Sequence, residues 1–227
     1  NGLSSLDASN NTLKYLQCKF NGLSNLDLGD ASTLEYVNCK GNSLSNLNIS
    51  GAINLKHLDC QSNQIVSLDL NSSSDLTSLY CPYNYELTSL DLASNTSLTS
   101  LNCSGCNLSC LDISNNHLLD SLICDGNFME QLNLQNGNYN LYIEANNNAL
   151  TCVEVFDVAY ANDFWWWMFI PQMFSEIVNF SSNCNYSDAC VTVSIQEPAF
   201  TNKELINVVD ALGREVNHKT NQILFHI

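Results

Sequence analysis

Leucine recurs along the first two thirds of the chain with a period of about 21 residues. The unit is L-x-x-L-x-C-x-x-N-x-L-x-x-L-x-L, followed by a polar turn of five residues. Its cysteines keep the same spacing, with one extra residue between the fourth and the fifth: Cys18, Cys39, Cys60, Cys81, Cys103 and Cys124. An asparagine lies three residues after each cysteine, except in the fifth unit, where Cys106 takes that place. One turn of this length cannot bury its own leucines, so stacked turns must share a continuous apolar interior.

Each part of the unit has a predicted place in this stack. In the segment L-x-C the leucine and the cysteine point inward and the residues beside them point outward, as strand alternation requires. The strands of successive turns then form a parallel sheet along one side. The asparagines are predicted to hydrogen-bond backbone groups where the chain turns, because their side chains both donate and accept. A half unit at residues 3–8 and a degenerate unit with Ala145 in the cysteine place complete about seven turns.

Residues 3–155 resemble the bacterial 21-residue leucine-rich repeats of internalin-like and Bacteroidetes surface proteins, including the variety with a cysteine ladder. The resemblance implies an α/β-type leucine-rich-repeat solenoid dominated by short parallel β-strands, with few or no regular helices. It also implies a curved shape whose concave face binds other macromolecules. We expect three parts: the solenoid at 1–155, a disulfide-clamped cap at 156–190 and a small β-appendage at 191–227.

The eleven cysteines have two predicted roles. The six of the ladder are best explained as small buried hydrophobic residues, with alternating disulfides between turns as the alternative. Cys152 and Cys184 flank the segment that lacks the repeat, and we predict that they form a disulfide. Cys106 and Cys110 could close a short loop, which would leave Cys190 as the remaining thiol.

The predicted cap contains three consecutive tryptophans, Trp165, Trp166 and Trp167. Three neighbouring side chains cannot all face inward on one element, so at least one is expected to be exposed and available for sugar stacking or a partner contact. The segment resembles the cap that follows such repeats in flavobacterial proteins. The matching residues are Cys152, Asp157, Tyr160, Ala161, Asn162, one of the tryptophans, Phe174, Ser175 and Cys184.

The last residues predict a β-hairpin, with alternating apolar positions on either side of a glycine turn at Gly213. The Asp-x-x-Gly-Arg-Glu motif at 210–215 resembles the C-terminal sorting domain of the Bacteroidetes type IX secretion system. The resemblance covers a short C-terminal stretch and implies a secreted protein or one on the outer surface of a Gram-negative bacterium. A generic β-appendage is the alternative.

Charge and hydropathy narrow the range of partners. The formal net charge is −16 and the pI is about 4.2, which argues against nucleic acid and anionic membranes, since both require a basic surface. No apolar run reaches the roughly 18 residues of a membrane helix. The first residues already follow the repeat, so we expect any export signal to have been removed.

The outward residues of the L-x-C strands form the predicted concave face, which is the candidate site for a protein or polysaccharide ligand. Tyr15, Tyr36 and His57 are predicted to share one column, Lys19 and Lys40 a second one, and acidic residues lie at the other end. Aromatic anchors and a charge gradient suit macromolecular recognition. The candidate ligand-binding residues are Tyr15, Lys19, Tyr36, Lys40, His57, Asp59, Tyr80 and Tyr142.

Three alternatives remain. The exposed tryptophans could bind a polysaccharide, or the repeats could be a passive spacer without a ligand. A column of outward acidic and amide residues in the second strands could bind calcium: Asp27, Asn48, Asp69, Asp91, Asp112, Asn133 and Glu154. We expect no other cofactor or metal and no enzymatic activity, because His57 and Asp59 lie beside no nucleophile and an open sheet does not enclose a substrate.

Overall fold

Short parallel strands form almost all of the regular structure in the described part of the chain. A computed structural model describes residues 2–8, 12–165 and 179–184, which lie within one compact unit, Asn1–Thr192. The strands of these residues, in chain order, are β1 (Leu6–Asp7), β2 (Tyr15–Gln17), β3 (Asn25–Asp27), β4 (Tyr36–Asn38), β5 (Asn46–Asn48), β6 (His57–Asp59), β7 (Ser78–Tyr80), β8 (Ser100–Asn102), β9 (Cys110–Asp112), β10 (Ser121–Ile123), β11 (Gln131–Leu134), β12 (Tyr142–Glu144), β13 (Cys152–Val155) and β14 (Asn179–Ser181).

One sheet runs through all the turns. Its seven strands lie in the order β2-β4-β6-β7-β8-β10-β12, all parallel. The repeat sets the register: Leu16 lies opposite Val37 and Val37 opposite Leu58, so equivalent residues of successive turns are neighbours. The sequence-predicted solenoid of about seven turns is confirmed.

The second side of the solenoid is divided into two sheets. One has the order β1-β3-β5 and the other β9-β11-β13-β14, again with parallel neighbours. No strand is assigned in the described segments around Leu68 and Leu90, between these two sheets. The break lies beside the one repeat with an extra residue, from Cys81 to Cys103. After β13 the chain forms a single helical turn, α1 (Val158–Tyr160), which continues into a short π-helical turn, Ala161–Trp165.

The core consists of columns of equivalent side chains. The strand leucines and the ladder cysteines point inward as predicted, and the cysteines from Cys39 to Cys124 are fully buried. Burying one leucine or isoleucine stabilises the fold by about 1.5–3 kcal/mol, so the repeated columns supply most of the hydrophobic stabilisation. Leu13 departs from its column, being 46% exposed where its equivalents from Leu34 to Leu119 are buried.

The asparagine column ties each turn to the one before it. The Asn63 amide donates from Nδ2 to the carbonyl oxygens of Cys60, at 2.9 Å, and of Cys39 in the preceding turn, at 3.2 Å. Its Oδ1 accepts the backbone N–H of Leu44 at 3.0 Å. Asn42, Asn84, Asn127 and Asn148 repeat this set. The column therefore pairs backbone groups of two adjacent turns at once, as its predicted role requires.

A second polar column lies on the opposite bend and was not predicted. Asn95 donates to the carbonyl oxygens of Leu70 and Ser73, and Asn116 donates to those of Leu92 and Asn95. Both asparagines are buried. Their spacing of 21 residues is the signal that could have revealed them within the segment assigned only as a polar turn.

The residue before each asparagine-column position has a left-handed backbone. The φ angles lie between 55° and 67° at Phe20, Gly41, Ser62, Tyr83, Gly105, Gly126 and Asn147. Glycine adopts this conformation without strain, whereas aromatic residues do so at a cost of about 1–3 kcal/mol. Phe20 and Tyr83 are therefore held in a conformation that local preference disfavours.

Removing a column asparagine that makes the full set of hydrogen bonds should cost much more than removing one that makes only part of the set. We expect Asn63→Ala to lower the free energy of unfolding by about 3 kcal/mol, since buried backbone groups of two turns lose a partner. Asn21→Ala is the matched control: the buried Asn21 Oδ1 accepts no hydrogen bond, so we expect a loss of only about 1 kcal/mol. Urea unfolding followed by circular dichroism measures both, and equal losses would contradict the proposed role of the column.

Candidate functional site

The outer face of the seven-stranded sheet carries a continuous row of aromatic rings. Tyr15, Tyr36 and His57 are direct neighbours in the register of β2, β4 and β6. The ring centroids of Tyr15 and Tyr36 lie 6.2 Å apart, those of Tyr36 and His57 lie 4.5 Å apart, and those of His57 and Tyr80 lie 5.5 Å apart. We call these four residues the aromatic row.

The stacking decides which part of each ring a ligand can reach. The rings of Tyr36 and His57 are parallel to within 2°, so each covers a face of the other. Both side chains are half-buried. A sugar ring needs an open aromatic face, whereas hydrogen bonds and side-chain contacts from a polypeptide can be made at ring edges. The two stacked faces in the middle of the row are therefore closed to a sugar ring.

A ladder of ion pairs borders the aromatic row. Glu35 accepts from Lys14 Nζ at 2.9 Å and from Lys56 Nζ at 3.0 Å, through its two carboxylate oxygens. The hydrogen bonds from Lys14 and then Lys56 lower the pKa of the Glu35 carboxyl, and the Glu35 hydrogen bond raises the pKa of Lys14. This ladder was not predicted, although its successive members are spaced by 21 residues.

The two predicted lysines are placed differently. Lys19 and Lys40 occupy equivalent positions in adjacent turns at the far edge of the same face, and Lys19 is exposed. Neither ammonium group takes part in an ion pair within the described part of the chain. Asp59 lies opposite Asn38, in the column between the aromatic row and the two lysines. It accepts a hydrogen bond from Asn38 Nδ2 at 3.2 Å.

An open groove of about 450 Å³ lies toward the other end of this face. Tyr80 and Tyr83 line one part of it, and Asp125 and Glu144 line another. Burial raises the pKa of the Asp125 carboxyl, and the nearby Glu144 charge adds to this effect, while the backbone N–H of Asn146 opposes it. Tyr142 donates its hydroxyl hydrogen to Glu144. The predicted Tyr80 therefore lines the groove, and the predicted Tyr142 contacts a residue that lines it. The carboxylates of Asp125 and Glu144 were predicted only as acidic residues at the other end of the face.

Solved structures place this geometry among known folds. The functional domain of InlJ from Listeria monocytogenes, which includes a cysteine ladder, matches 70% of this chain with 34% sequence identity and a TM-score of 0.62. The repeats of this chain share the leucine-rich-repeat fold and the cysteine ladder of that domain. It spans 40% of the length of the InlJ structure. No family model matches the chain, and no curated protein does so either.

The thiols of the cysteine ladder are buried and unreactive. Cys39, Cys60, Cys103 and Cys124 are unbonded thiols buried in the repeat interior, so the alternative of alternating disulfides is wrong. Burial raises the pKa of each of these four thiols. Since the thiolate is the reactive form, they are inert in the folded leucine-rich repeats.

Some of the cysteines outside the ladder form disulfides, and Cys106 does not. Cys152 and Cys184, the predicted pair, are joined, with their Cα atoms 5.9 Å apart. Cys110 is disulfide-bonded while Cys106 is a buried free thiol, so the predicted Cys106–Cys110 pairing is wrong. Cys106 instead donates to the carbonyl oxygen of Cys81 at 3.4 Å, because it occupies an asparagine-column position. Cys190 lies outside the described residues.

The acidic column of the second strands has a structural explanation. Asp69, Asp91 and Asp112 each accept the backbone N–H of the residue two positions later, at 2.8–3.0 Å. Asp27 also accepts from the side chain of Asn48 at 2.8 Å. These bonds account for aspartate and asparagine at the strand ends. Within the described residues, no group of three potential metal ligands forms, and calcium binding stays an untested hypothesis.

Several predicted features lie beyond the described part of the chain. Trp166, Trp167 and the motif at 210–215 are outside it, and Trp165 is described only as the end of the π-helical turn. No helix in the described ranges is long and apolar enough to cross a membrane. The prediction that the protein is not an enzyme stays a prediction.

Acid should weaken the aromatic row. Burial lowers the pKa of the His57 imidazole below its ordinary value of 6.5, with Asp59 acting in the opposite direction. A histidine with a folded pKa below its unfolded pKa keeps its contribution to stability above the unfolded value and loses it as the pH falls through the folded value. NMR titration should place the His57 midpoint below 6.5, and His57→Gln should reduce the stability loss between neutral pH and about pH 5. A midpoint at or above the ordinary value would contradict this.

The ladder thiols should react only after unfolding. We expect iodoacetamide at about pH 8 to leave Cys39, Cys60, Cys103 and Cys124 unmodified in the native protein and to alkylate them in urea, because burial suppresses the thiolate. Peptide mass spectrometry measures each site. Cys152 and Cys184 are the internal control, since without a reductant they should stay unmodified in both conditions. Rapid alkylation of the four thiols in the native protein would show that the ladder opens readily.

Proposed function

We propose that this leucine-rich-repeat solenoid is an extracellular or cell-surface module for binding or adhesion, which recognises a protein through the outer face of its seven-stranded sheet. The observation that carries the proposal is the aromatic row beside the Lys14–Glu35–Lys56 ladder. Tyrosine anchors bordered by charged groups are typical of protein interfaces. The row also lies on regular strands, which hold its side chains in fixed places before a partner arrives.

The proposed location rests on chemistry and on the sorting motif. Disulfides such as Cys152–Cys184 persist mainly in oxidising compartments, which suits an exported protein. The motif at 210–215 adds the finer proposal of a type IX secretion substrate on the surface of a Gram-negative, Bacteroidetes-type bacterium. Polysaccharide binding by Trp165, Trp166 and Trp167 and a passive spacer are the rival hypotheses, and no observation in the described residues favours either.

Two aromatic residues of equal exposure allow a direct test. Tyr15 on the proposed face is 68% exposed and Phe128 away from it is 67% exposed, so replacement of either by alanine should perturb the fold equally little. With a partner captured from host or environmental extract, we expect Tyr15→Ala and Tyr36→Ala to weaken binding about tenfold each, as for interface anchors. Phe128→Ala should leave binding unchanged.

Interferometry on the immobilised wild type and these three variants measures the effect. If the tyrosine variants bind as wild type does, the outer face is not the interface. If no partner is captured at all by the wild type, the spacer hypothesis is favoured. A glycan array with wild type and Trp166→Ala tests the polysaccharide hypothesis separately.

A further inference from the structure

The groove on the outer face has aromatic walls at one end and carboxylates at the other. Tyr80 and Tyr83 line it together with Pro82, and Asp125 and Glu144 face the same space. Its volume of about 450 Å³ falls in the range of pockets that take small ligands, roughly 300–1,000 Å³. It can therefore admit a long side chain together with part of the backbone that carries it.

The carboxylates of the groove have no cationic partner in the repeats. No lysine or arginine occurs between Lys56 and Lys203 in the sequence. Among the described residues, the ion pairs are those of Glu35, at the other end of the face. Asp125 is held by the backbone N–H of Asn146 at 2.5 Å, and Glu144 accepts from the Tyr142 hydroxyl. These bonds fix the direction of both carboxylates, and no lysine or arginine of the described residues pairs with either one.

The two tyrosines that line the groove are held in place, although the backbone conformation of one of them is unfavourable for tyrosine. Tyr83 has a φ of 60°, in the left-handed region that disfavours tyrosine. Its ring lies against Gly105, where an added Cβ would come within 2.8 Å of Tyr83 Cδ1. Tyr83 is nevertheless 45% exposed. The Tyr80 hydroxyl lies 3.2 Å from Ser100 Oγ, which orients the second ring. Both rings are thus held in place at the groove.

We propose that this groove takes the cationic side chain, arginine or lysine, of the partner polypeptide, an inference that rests on the proposed protein-binding function. Charge complementarity selects the occupant: two fixed carboxylates attract a guanidinium or ammonium group, and aromatic faces add cation–π attraction. A guanidinium fits better than an ammonium, since it pairs with carboxylates and stacks on rings at once. A metal ion is disfavoured, as no set of three ligands forms in the described ranges.

A peptide series tests the groove without knowledge of the natural partner. The probes are three decapeptides of glycine, serine and alanine with a central arginine, lysine or citrulline, titrated into the ¹⁵N-labelled full chain and followed by amide chemical shifts. Citrulline keeps the shape of arginine and removes its charge. We expect saturable shifts of the Gly105, Gly126 and Asn146 amides with arginine, weaker binding of lysine, and at least tenfold weaker binding of citrulline.

Variants with matched charge changes locate the site. Asp125→Asn with Glu144→Gln should weaken arginine-peptide binding at least tenfold and remove most of its salt dependence. Asp69→Asn with Asp91→Asn is the control: it changes the net charge equally, lies on the other side of the solenoid, and retains the Oδ1 that accepts a backbone N–H. Circular dichroism checks that both double variants are folded.

The outcomes separate this inference from the function on which it rests. Equal binding of the citrulline peptide, or an unchanged affinity in the Asp125→Asn, Glu144→Gln variant, would overturn the cationic groove. The proposal would also be overturned if the only effect of that variant were the loss of self-association. A second copy of the chain would then be the occupant of the groove. If the peptide results fail while Tyr15→Ala still weakens the captured partner, the protein-binding function stands and only the inference about the groove falls.

Discussion

The column asparagines from Asn42 to Asn148 hold the fold together, because the amide of each pairs three backbone groups from two turns. Asn63 donates to carbonyls of its own turn and of the preceding one, and it accepts an N–H that no strand partner reaches. A bend without such a side chain would bury unpaired polar groups inside an apolar core, at about 1–3 kcal/mol for each. The left-handed residue just before it follows from the same constraint, since the chain must reverse direction sharply for the amide to point inward. Strained residues such as Tyr83 are tolerated there because the column fixes the bend.

The one exception in the column shows how strict this requirement is. Cys106 replaces asparagine and can donate through its thiol to the Cys81 carbonyl, but it offers no amide oxygen. The N–H that would need that oxygen belongs to Leu87, and it donates instead to the Asn84 carbonyl at 3.0 Å. This local bond spans the single inserted residue of the repeats, at 85–86. The missing amide oxygen at Cys106 and the extra residue at 85–86 therefore belong together. The extra residue lets the Leu87 N–H bond to the Asn84 carbonyl, since the side chain of the next turn offers no acceptor.

Periodicity in the sequence predicts columns well and contacts within a column less well. The constant repeat length placed Tyr15, Tyr36 and His57 in register, because register in a solenoid follows directly from that length. It did not distinguish Lys19 from Lys14, since the ion pairs with Glu35 depend on side-chain rotamers and on the neighbour presented by the next turn. Nor did it reveal the left-handed position, where glycine alternates with phenylalanine, serine, tyrosine and asparagine. The pairing of Cys106 was misjudged for a related reason: nearness in sequence suggested a loop, whereas its place in the column directs the thiol into the core.

Outward positions have a different relation to stability from inward ones. The inward leucines, cysteines and asparagines account for the fold, and most outward residues could be exchanged without loss of a buried contact. Two outward features, by contrast, are unfavourable for the stability of the chain without a ligand. A tyrosine holds a left-handed backbone at position 83, and a partly buried carboxyl at Asp125 lies beside a second one at Glu144, where burial and charge repulsion both raise its pKa. Strain and unneutralised charge persist where the rest of the structure fixes them, and they concentrate at sites that bind ligands. Both features border the same groove, which is why a ligand of opposite charge explains their joint presence better than the requirements of folding do.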